Sequence, residues 1–218
     1  MSAVAATRRG PADPGARLDR GLAELGLALD RRGRTQLLDY LALLEKWNWV
    51  YNLTSIRNRE KMVSGHLLDC LALVPHITGT RILDVGSGAG FPGIPLAIAR
   101  PDFRVTLLDS SQKKAAFLKQ AVAELRLKNA SVVCERVETW ESTERFDCIA
   151  SRALSELADF VTLAQRLLAP EGVFAAMKGV HPFEEIERMP QDFRVKQVLQ
   201  LAVPGLDAER HVVFIERA

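Results

Sequence analysis

The chain has 218 residues, of which 48% are hydrophobic and 26% charged, an ordinary composition for one large globular domain. Its 29 Lys and Arg residues against 27 Asp and Glu leave a net charge of +2. This composition excludes a chain disordered throughout, a collagen-like repeat and a coiled coil. The small net charge also excludes binding to nucleic acid by bulk electrostatics alone. The apolar stretches fall short of the ~20 residues of a membrane span, so no membrane partner is expected.

Cysteine usage and the first residues indicate where the protein works. Three cysteines without a CxxC pair and a start without a hydrophobic signal segment predict a cytoplasmic protein. Residues 1–17, rich in Ala, Gly, Pro and Arg, are predicted to be a disordered tail. Pro11, Pro14 and Asp13 disfavour the alternative, a mitochondrial targeting segment. Residues 1–79 hold 11 Lys and Arg against 8 Asp and Glu, so the positive surplus lies at the N-terminal end.

Residues 18–78 are predicted to form a small helical cap. Apolar residues recur there at helical spacing, in a face formed by Leu37, Leu38, Leu41, Leu44 and Trp47. A second helix is predicted over 59–74, a shorter one before Gly33, and a loop over 52–55. This segment has no strand signal.

Residues 79–218 are predicted to alternate strands with helices. The pattern indicates βαβ units and a mainly parallel sheet that is covered on both faces. It ends in an antiparallel hairpin around Pro204-Gly205. Strands are predicted at 81–85, 104–108, 131–134, 146–150, 172–177, 195–203 and 211–216, and helices at 94–99, 111–125 and 156–168.

A glycine-rich loop follows the first strand and indicates a nucleotide-type cofactor. In residues 84–93, Gly86 and Gly88 let the backbone approach a ligand closely. Asp109 ends the second strand and suits the ribose hydroxyls of an adenosine. Asp84, before the glycines, would repel a pyrophosphate but complement the cationic end of S-adenosylmethionine. The third glycine of a dinucleotide loop would fall at Phe91, so this cofactor is favoured over NAD.

Either aspartate alone also fits a residue that ends a strand and caps a helix. Together, around one glycine loop, they favour the cofactor site.

An ordered set of motifs resembles the RsmG (GidB) family of small-subunit rRNA guanine-N7 methyltransferases. The set covers about residues 34–216, nearly the whole chain. Its parts are Asp84 to Gly93, Asn52-Leu53-Thr54, His66-Leu67-Leu68-Asp69, Leu107-Leu108-Asp109-Ser110, Arg136-Val137-Glu138, Ser151-Arg152-Ala153, Lys178-Gly179, Pro204-Gly205-Leu206-Asp207 and Glu209-Arg210-His211.

This resemblance implies a seven-stranded class I S-adenosylmethionine-dependent methyltransferase fold, Rossmann-like, with an N-terminal helical cap. The implied substrate is one guanosine in a decoding-region loop of 16S rRNA, presented as RNA or as the small ribosomal subunit. The resemblance also implies that Gly86 and Phe91 contact the cofactor, that Val137 and Glu138 bracket the adenine, and that Arg152 lines the site.

Guanine N7 already presents a lone pair, so its methylation requires no catalytic base. Because N7 must stay free, Arg152 or Lys178 is hypothesised to donate only to guanine O6 or to a phosphate. The alternative is that both are surface charges near strand ends. No metal is expected, since the four histidines make no ligand spacing with any cysteine. The protein is also expected to be a monomer.

Three further clusters have open interpretations. His66 and Asp69, at i and i+3, suit a histidine paired with a carboxylate or a polar contact to substrate or cofactor. For the aromatic residues at 47, 49 and 51, core packing plus one exposed ring is favoured over base stacking. The arginines at 31, 32 and 34 are solvated or contact phosphate. Two other functions compete: an NAD-dependent oxidoreductase and a non-enzymatic RNA-binding module.

Overall fold

The computed structural model describes residues 13–152 and 156–218. The strands are β1 (Arg81–Val85), β2 (Arg104–Leu108), β3 (Ala130–Val133), β4 (Phe146–Arg152), β5 (Leu168–Lys178), β6 (Phe193–Gln200) and β7 (His211–Arg217). The α-helices are α1 (Pro14–Glu24), α2 (Arg31–Tyr51), α3 (Arg59–Met62), α4 (Asp69–Leu71), α5 (Gly93–Ala99), α6 (Gln112–Glu124), α7 (Leu157–Ala164) and α8 (Phe183–Glu187). A π-helical turn, Val63–Leu68, joins α3 to α4, and 3-10 turns cover Val74–His76 and Gln165–Leu167.

The seven strands form one sheet in the order β3-β2-β1-β4-β5-β7-β6. Strands β1 to β5 are parallel, and β7 is antiparallel to both β5 and β6. The predicted parallel sheet with an antiparallel finish is therefore confirmed. The strand order reverses between β1 and β4, and ligands of such sheets bind outside the carboxyl ends of the strands at this switch point.

Two hydrophobic clusters hold helices against the two faces of the sheet. Leu37 and Leu44 of α2 share a cluster with Phe117 of α6 and with residues of α5 and the sheet. Val161 of α7 packs on the other face, in a cluster that includes Phe174 of β5. The N-terminal helices thus bury their apolar stripe in one core with α5, α6 and the sheet, and the predicted boundary between residues 78 and 79 stays a prediction.

The start of the chain differs from the sequence prediction. Helix α1 begins at Pro14, where the Asp13 carboxylate accepts from the Gly15 N–H at 3.0 Å. Arg17 donates to Ser64 Oγ (2.9 Å) and to the Gly205 carbonyl (2.8 Å), which ties α1 to the fold. The predicted disordered tail 1–17 is therefore wrong for residues 14–17. Residues 1–12 of that tail, and residue 153 of the motif at the end of β4, lie outside the described residues.

Two local features were not predicted. The helix over 59–74 contains the π-helical turn Val63–Leu68, and α8 after β5 has only five residues, too few for a periodic pattern. Within residues 13–152 and 156–218, no helix combines the length and the apolar character needed to span a membrane.

Candidate functional site

The glycine loop leaves β1 and enters α5 with three glycines at positive φ. Gly86, Gly88 and Gly90 have φ of 68°, 58° and 94°, a region that side chains rarely adopt. The cap holds this loop, because the Tyr40 hydroxyl of α2 donates to the Ala89 carbonyl. The glycines therefore give the loop its path, and a buried cap residue fixes its position.

Asp84 lies directly beneath this loop and is fully buried. Its Oδ2 accepts from the Gly93 N–H at 2.9 Å, whereas Oδ1 is buried and has no hydrogen-bond partner among the described residues. Burial raises the pKa of the carboxyl to about 7, and hydrogen bonds from Gly93 and Ser87 offset this only in part. An unpaired buried carboxylate fits a site completed by a cation nearby.

Asp109, at the end of β2, holds the loop from the other side. Its Oδ2 accepts from the Gly88 N–H (2.8 Å) and its Oδ1 from the Ser111 N–H (2.9 Å). The Lys114 ammonium lies 3.8 Å from Oδ2. A carboxylate has about four lone-pair positions, so Asp109 can still accept from ligand hydroxyls.

A cavity of about 330 Å³ opens at the carboxyl ends of β1 and β2. Gly86, Asp109, Val137 and Glu138 line it, so the structure brings together four of the predicted cofactor residues. Leu163 of α7 adds apolar surface. The volume lies within the usual range for ligand pockets, and a wall with apolar and acidic parts fits an adenosine. Asp84, Gly88, Phe91 and Arg152 are not among the lining residues.

Phe91 is buried and faces the cap. Its ring centroid lies 4.5 Å from that of His66 and 4.5 Å from Arg152 Cζ, so the ring contacts both an imidazole and a guanidinium. His66 Nε2 is 2.7 Å from Thr54 Oγ1. Burial, and then the nearby Arg152, lower the pKa of His66 to about 4, which keeps the ring neutral at pH 7. Phe91 thereby joins the glycine loop to the cap.

Asp69 is the centre of a buried ionic cluster at the same junction. Arg152 Nη1 lies 3.2 Å from Asp69 Oδ2, and Arg210 Nε lies 3.1 Å from Oδ1. Arg152 also donates to the Gly65 carbonyl (3.1 Å) and contacts His66 Nδ1 (3.2 Å). His66 and Asp69 are thus joined through Arg152 rather than to each other. Sequence reasoning assigned no role to Arg210; the signal available was a carboxylate in an apolar helix, which requires counterions.

Lys178 lies at the end of β5, next to Met177, the residue paired with Arg152 across the sheet. Its ammonium is 2.6 Å from Glu185 Oε2, and the side chain is 14% exposed. Glu185 Oε2 also accepts from the Leu157 N–H at 2.9 Å. Both predicted cations therefore lie at the carboxyl ends of neighbouring strands, and each is paired with a carboxylate. Glu185 was missed because it belongs to the unpredicted helix α8.

Similar proteins match nearly the whole chain. Ribosomal RNA small subunit methyltransferase G of Laribacter hongkongensis is 57% identical over 196 residues, covering 90% of this chain and 95% of its own. The protein of the same name from Chromobacterium violaceum is 58% identical, covering 91% and 95%.

Solved structures show the same fold at low identity. The glycopeptide N-methyltransferase MtfA matches with a TM-score of 0.58 and 14% identity, over 69% of this chain and 94% of that one. A ribosomal protein L11 methylase from Lactobacillus delbrueckii subsp. bulgaricus matches with a TM-score of 0.53 and 17% identity, over 73% and 79%. The family described as rRNA small subunit methyltransferase G (GidB) matches residues 34–213. The chain therefore belongs to the rRNA small subunit methyltransferase G family.

Proposed function

We propose that this protein transfers a methyl group from S-adenosylmethionine to N7 of one guanosine in a decoding-region loop of small-subunit rRNA. It works as a monomer in the cytoplasm and uses no metal. The observation that carries the proposal is the cavity lined by Gly86, Asp109, Val137 and Glu138, beside the unpaired carboxylate of Asp84, in a chain of this family.

The residues at the cavity fit the cofactor. Asp109 and Glu138 accept from the ribose hydroxyls and the adenine amino group, while Val137 and Leu163 contact the adenine ring. Asp84, whose Oδ1 has no hydrogen-bond partner within residues 13–152 and 156–218, favours the cationic end electrostatically. When bound, the cofactor supplies a methyl group on a sulfonium centre. The chain contributes position and exclusion of water, the main requirements of an in-line displacement.

Arg152 and Lys178 suit the acceptor side, at the ends of β4 and β5. A guanidinium has five N–H donors, and the contacts to Asp69, Gly65 and His66 leave donors over for guanine O6 or a phosphate. The Lys178 ammonium, on the next strand, donates to the same kind of acceptor, guanine O6 or a phosphate. Neither residue removes a proton, because N7 carries a free lone pair, and neither occupies N7.

Two measurements test this function. Calorimetric titration should show binding of S-adenosylhomocysteine and none of NADH; the reverse would contradict the assigned cofactor. Single-turnover methylation of small ribosomal subunits should slow at least tenfold in Arg152→Lys and in Lys178→Met, since each change removes a positioned donor. S-adenosylhomocysteine affinity is the control. Wild-type rates in both variants would exclude these residues from the acceptor site.

A further inference from the structure

Two large apolar side chains at the end of α2 are exposed. Trp49 is 80% exposed and Val50 is 71% exposed. Both lie outside the buried stripe of this helix, which contains Leu37, Leu41, Leu44 and Asn48. Packing within the described part of the chain therefore does not account for them. The exposed Trp next to an exposed Val leaves a small apolar surface that is free to contact a partner.

Cations surround these apolar side chains. Lys46 and Arg57 are exposed, and the Lys113 ammonium lies 5.0 Å from the centroid of the Tyr51 ring. None of the three cations is ion-paired with a carboxylate in the part of the chain that the structure describes. One acid, Glu45, lines a hollow with Trp49 and Arg57. We name this surface the α2 patch: Lys46, Trp49, Val50, Tyr51, Arg57 and Lys113.

The α2 patch is connected to the carboxyl ends of the strands, where the cofactor cavity opens. Asn48 Oδ1 accepts from the Thr54 N–H at 2.9 Å, and Thr54 Oγ1 contacts His66, which stacks on Phe91 of the glycine loop. Lys113 lies in the first turn of α6, directly after the cavity residues at the end of β2. A polymer bound at the carboxyl ends of the strands therefore passes close to the α2 patch.

We propose that the α2 patch binds a single-stranded segment of the rRNA substrate, with a base stacked on Trp49 and phosphates beside Arg57 and Lys113. This proposal rests on the proposed function, since it assumes an RNA substrate. Exposed aromatic rings among unpaired cations are the usual means of binding single strands, because every base has a π-face and every nucleotide a phosphate. The net positive charge of the patch favours RNA over a basic ribosomal protein.

The other basic cluster on α2 is poorly placed for this role. Arg31 lies 18 residues before Trp49, about 27 Å along the helix. One turn further along α2, Gln36 donates to the Leu125 carbonyl after the last turn of α6, at the opposite ends of the strands from the cofactor cavity. Arg34 is already paired with Asp19. This end of α2 therefore serves as the comparison for the α2 patch.

The test measures binding of full-length variants to fluorescently labelled, protein-free small-subunit rRNA by anisotropy and its salt dependence, with tryptophan quenching as a separate report on Trp49. Trp49→Ala should weaken binding about 5-fold or more, the loss of one stacked base. Trp49→Phe should retain most of the affinity but lose the part of the tryptophan quenching that Trp49 contributes. Arg57→Gln with Lys113→Gln should lower the salt slope by about 1.5.

The comparison variant, Arg31→Gln with Arg32→Gln, removes the same charge from the other end of α2 and should lose much less affinity. Unchanged binding by Trp49→Ala, or an equal loss in both double variants, would overturn the proposal. An effect seen with intact subunits and absent with protein-free rRNA would assign the α2 patch to a ribosomal protein instead. Failure of the proposed function gives a different result from failure of this proposal. If the proposed function is wrong, the wild type does not methylate N7, whatever the Trp49 variants bind.

Discussion

Replacing Asp84 by Asn tests whether the buried carboxylate beneath the glycine loop responds to the cofactor's charge. Asn has nearly the same shape and can still accept from the Gly93 N–H, so the loop should keep its path. The substitution removes only the ionisable group, whose pKa burial raises to about 7. We expect the wild type to bind S-adenosylhomocysteine more tightly as the pH rises through 7, because the ionised carboxylate attracts the ligand's ammonium group.

The size of this effect follows from the fraction of Asp84 that is ionised. With a pKa of about 7, that fraction rises about eightfold between pH 6 and pH 7.5. If only the ionised form binds, affinity rises by the same factor, about 1.2 kcal/mol. The neutral His66, with its pKa lowered to about 4, does not titrate in this interval. Asp84→Asn should bind more weakly at pH 7.5 and show a flat profile.

Calorimetry in two buffers of different ionisation enthalpy measures both affinity and proton release. The wild type should release about half a proton on binding at pH 7 and close to one at pH 6, and Asp84→Asn none. Without the ligand, the wild type should lose stability as the pH rises from about 4 to about 7, because a raised folded-state pKa favours the protonated form. Identical profiles for the wild type and Asp84→Asn would refute the electrostatic role of this carboxylate.

Two stability predictions concern the glycine loop and the ionic cluster beside it. Gly93→Ala places a Cβ 2.2 Å from a leucine methyl, so urea unfolding should show a loss of about 1–3 kcal/mol; a loss below about 0.5 kcal/mol would contradict this packing. Asp69→Asn leaves Arg152 and Arg210 without their shared carboxylate and should cost about 3–5 kcal/mol. The control is Asp19→Asn, which breaks an exposed ion pair and should cost less than about 1 kcal/mol; equal losses would refute the distinction.

The order of strands and helices could be predicted because periodicity is a local signal. Apolar runs that end in glycine or aspartate marked β1 and β2, and the predicted bounds of these strands agree with the observed ones. The disorder predicted for residues 14–17 was wrong because a proline is well suited to the first position of a helix. Pro14 begins α1, and Asp13 caps it. Helix α8 has only five residues and none of them is buried, so the sequence contains no apolar periodicity that predicts it.

The cavity was largely predictable, whereas the ionic cluster was not. Gly86 and Asp109 are close in sequence and belong to one βαβ unit, so their spacing indicated that they meet. Arg152 and Arg210 reach Asp69 from 83 and 141 residues away. Spacing in a single sequence does not report such contacts, which depend on how the cap packs against the carboxyl ends of the strands.

The proposed reaction of this chain is methyl transfer to guanine N7 in small-subunit rRNA. The direct measurement is chemical mapping of N7-methylguanosine, by strand scission at the modified base, on small ribosomal subunits incubated with S-adenosylmethionine and the protein. One new scission site, at a guanosine of the decoding region and absent without protein, is the predicted result. Methyl incorporation at another atom, or no incorporation by a protein that binds S-adenosylhomocysteine, would contradict the account.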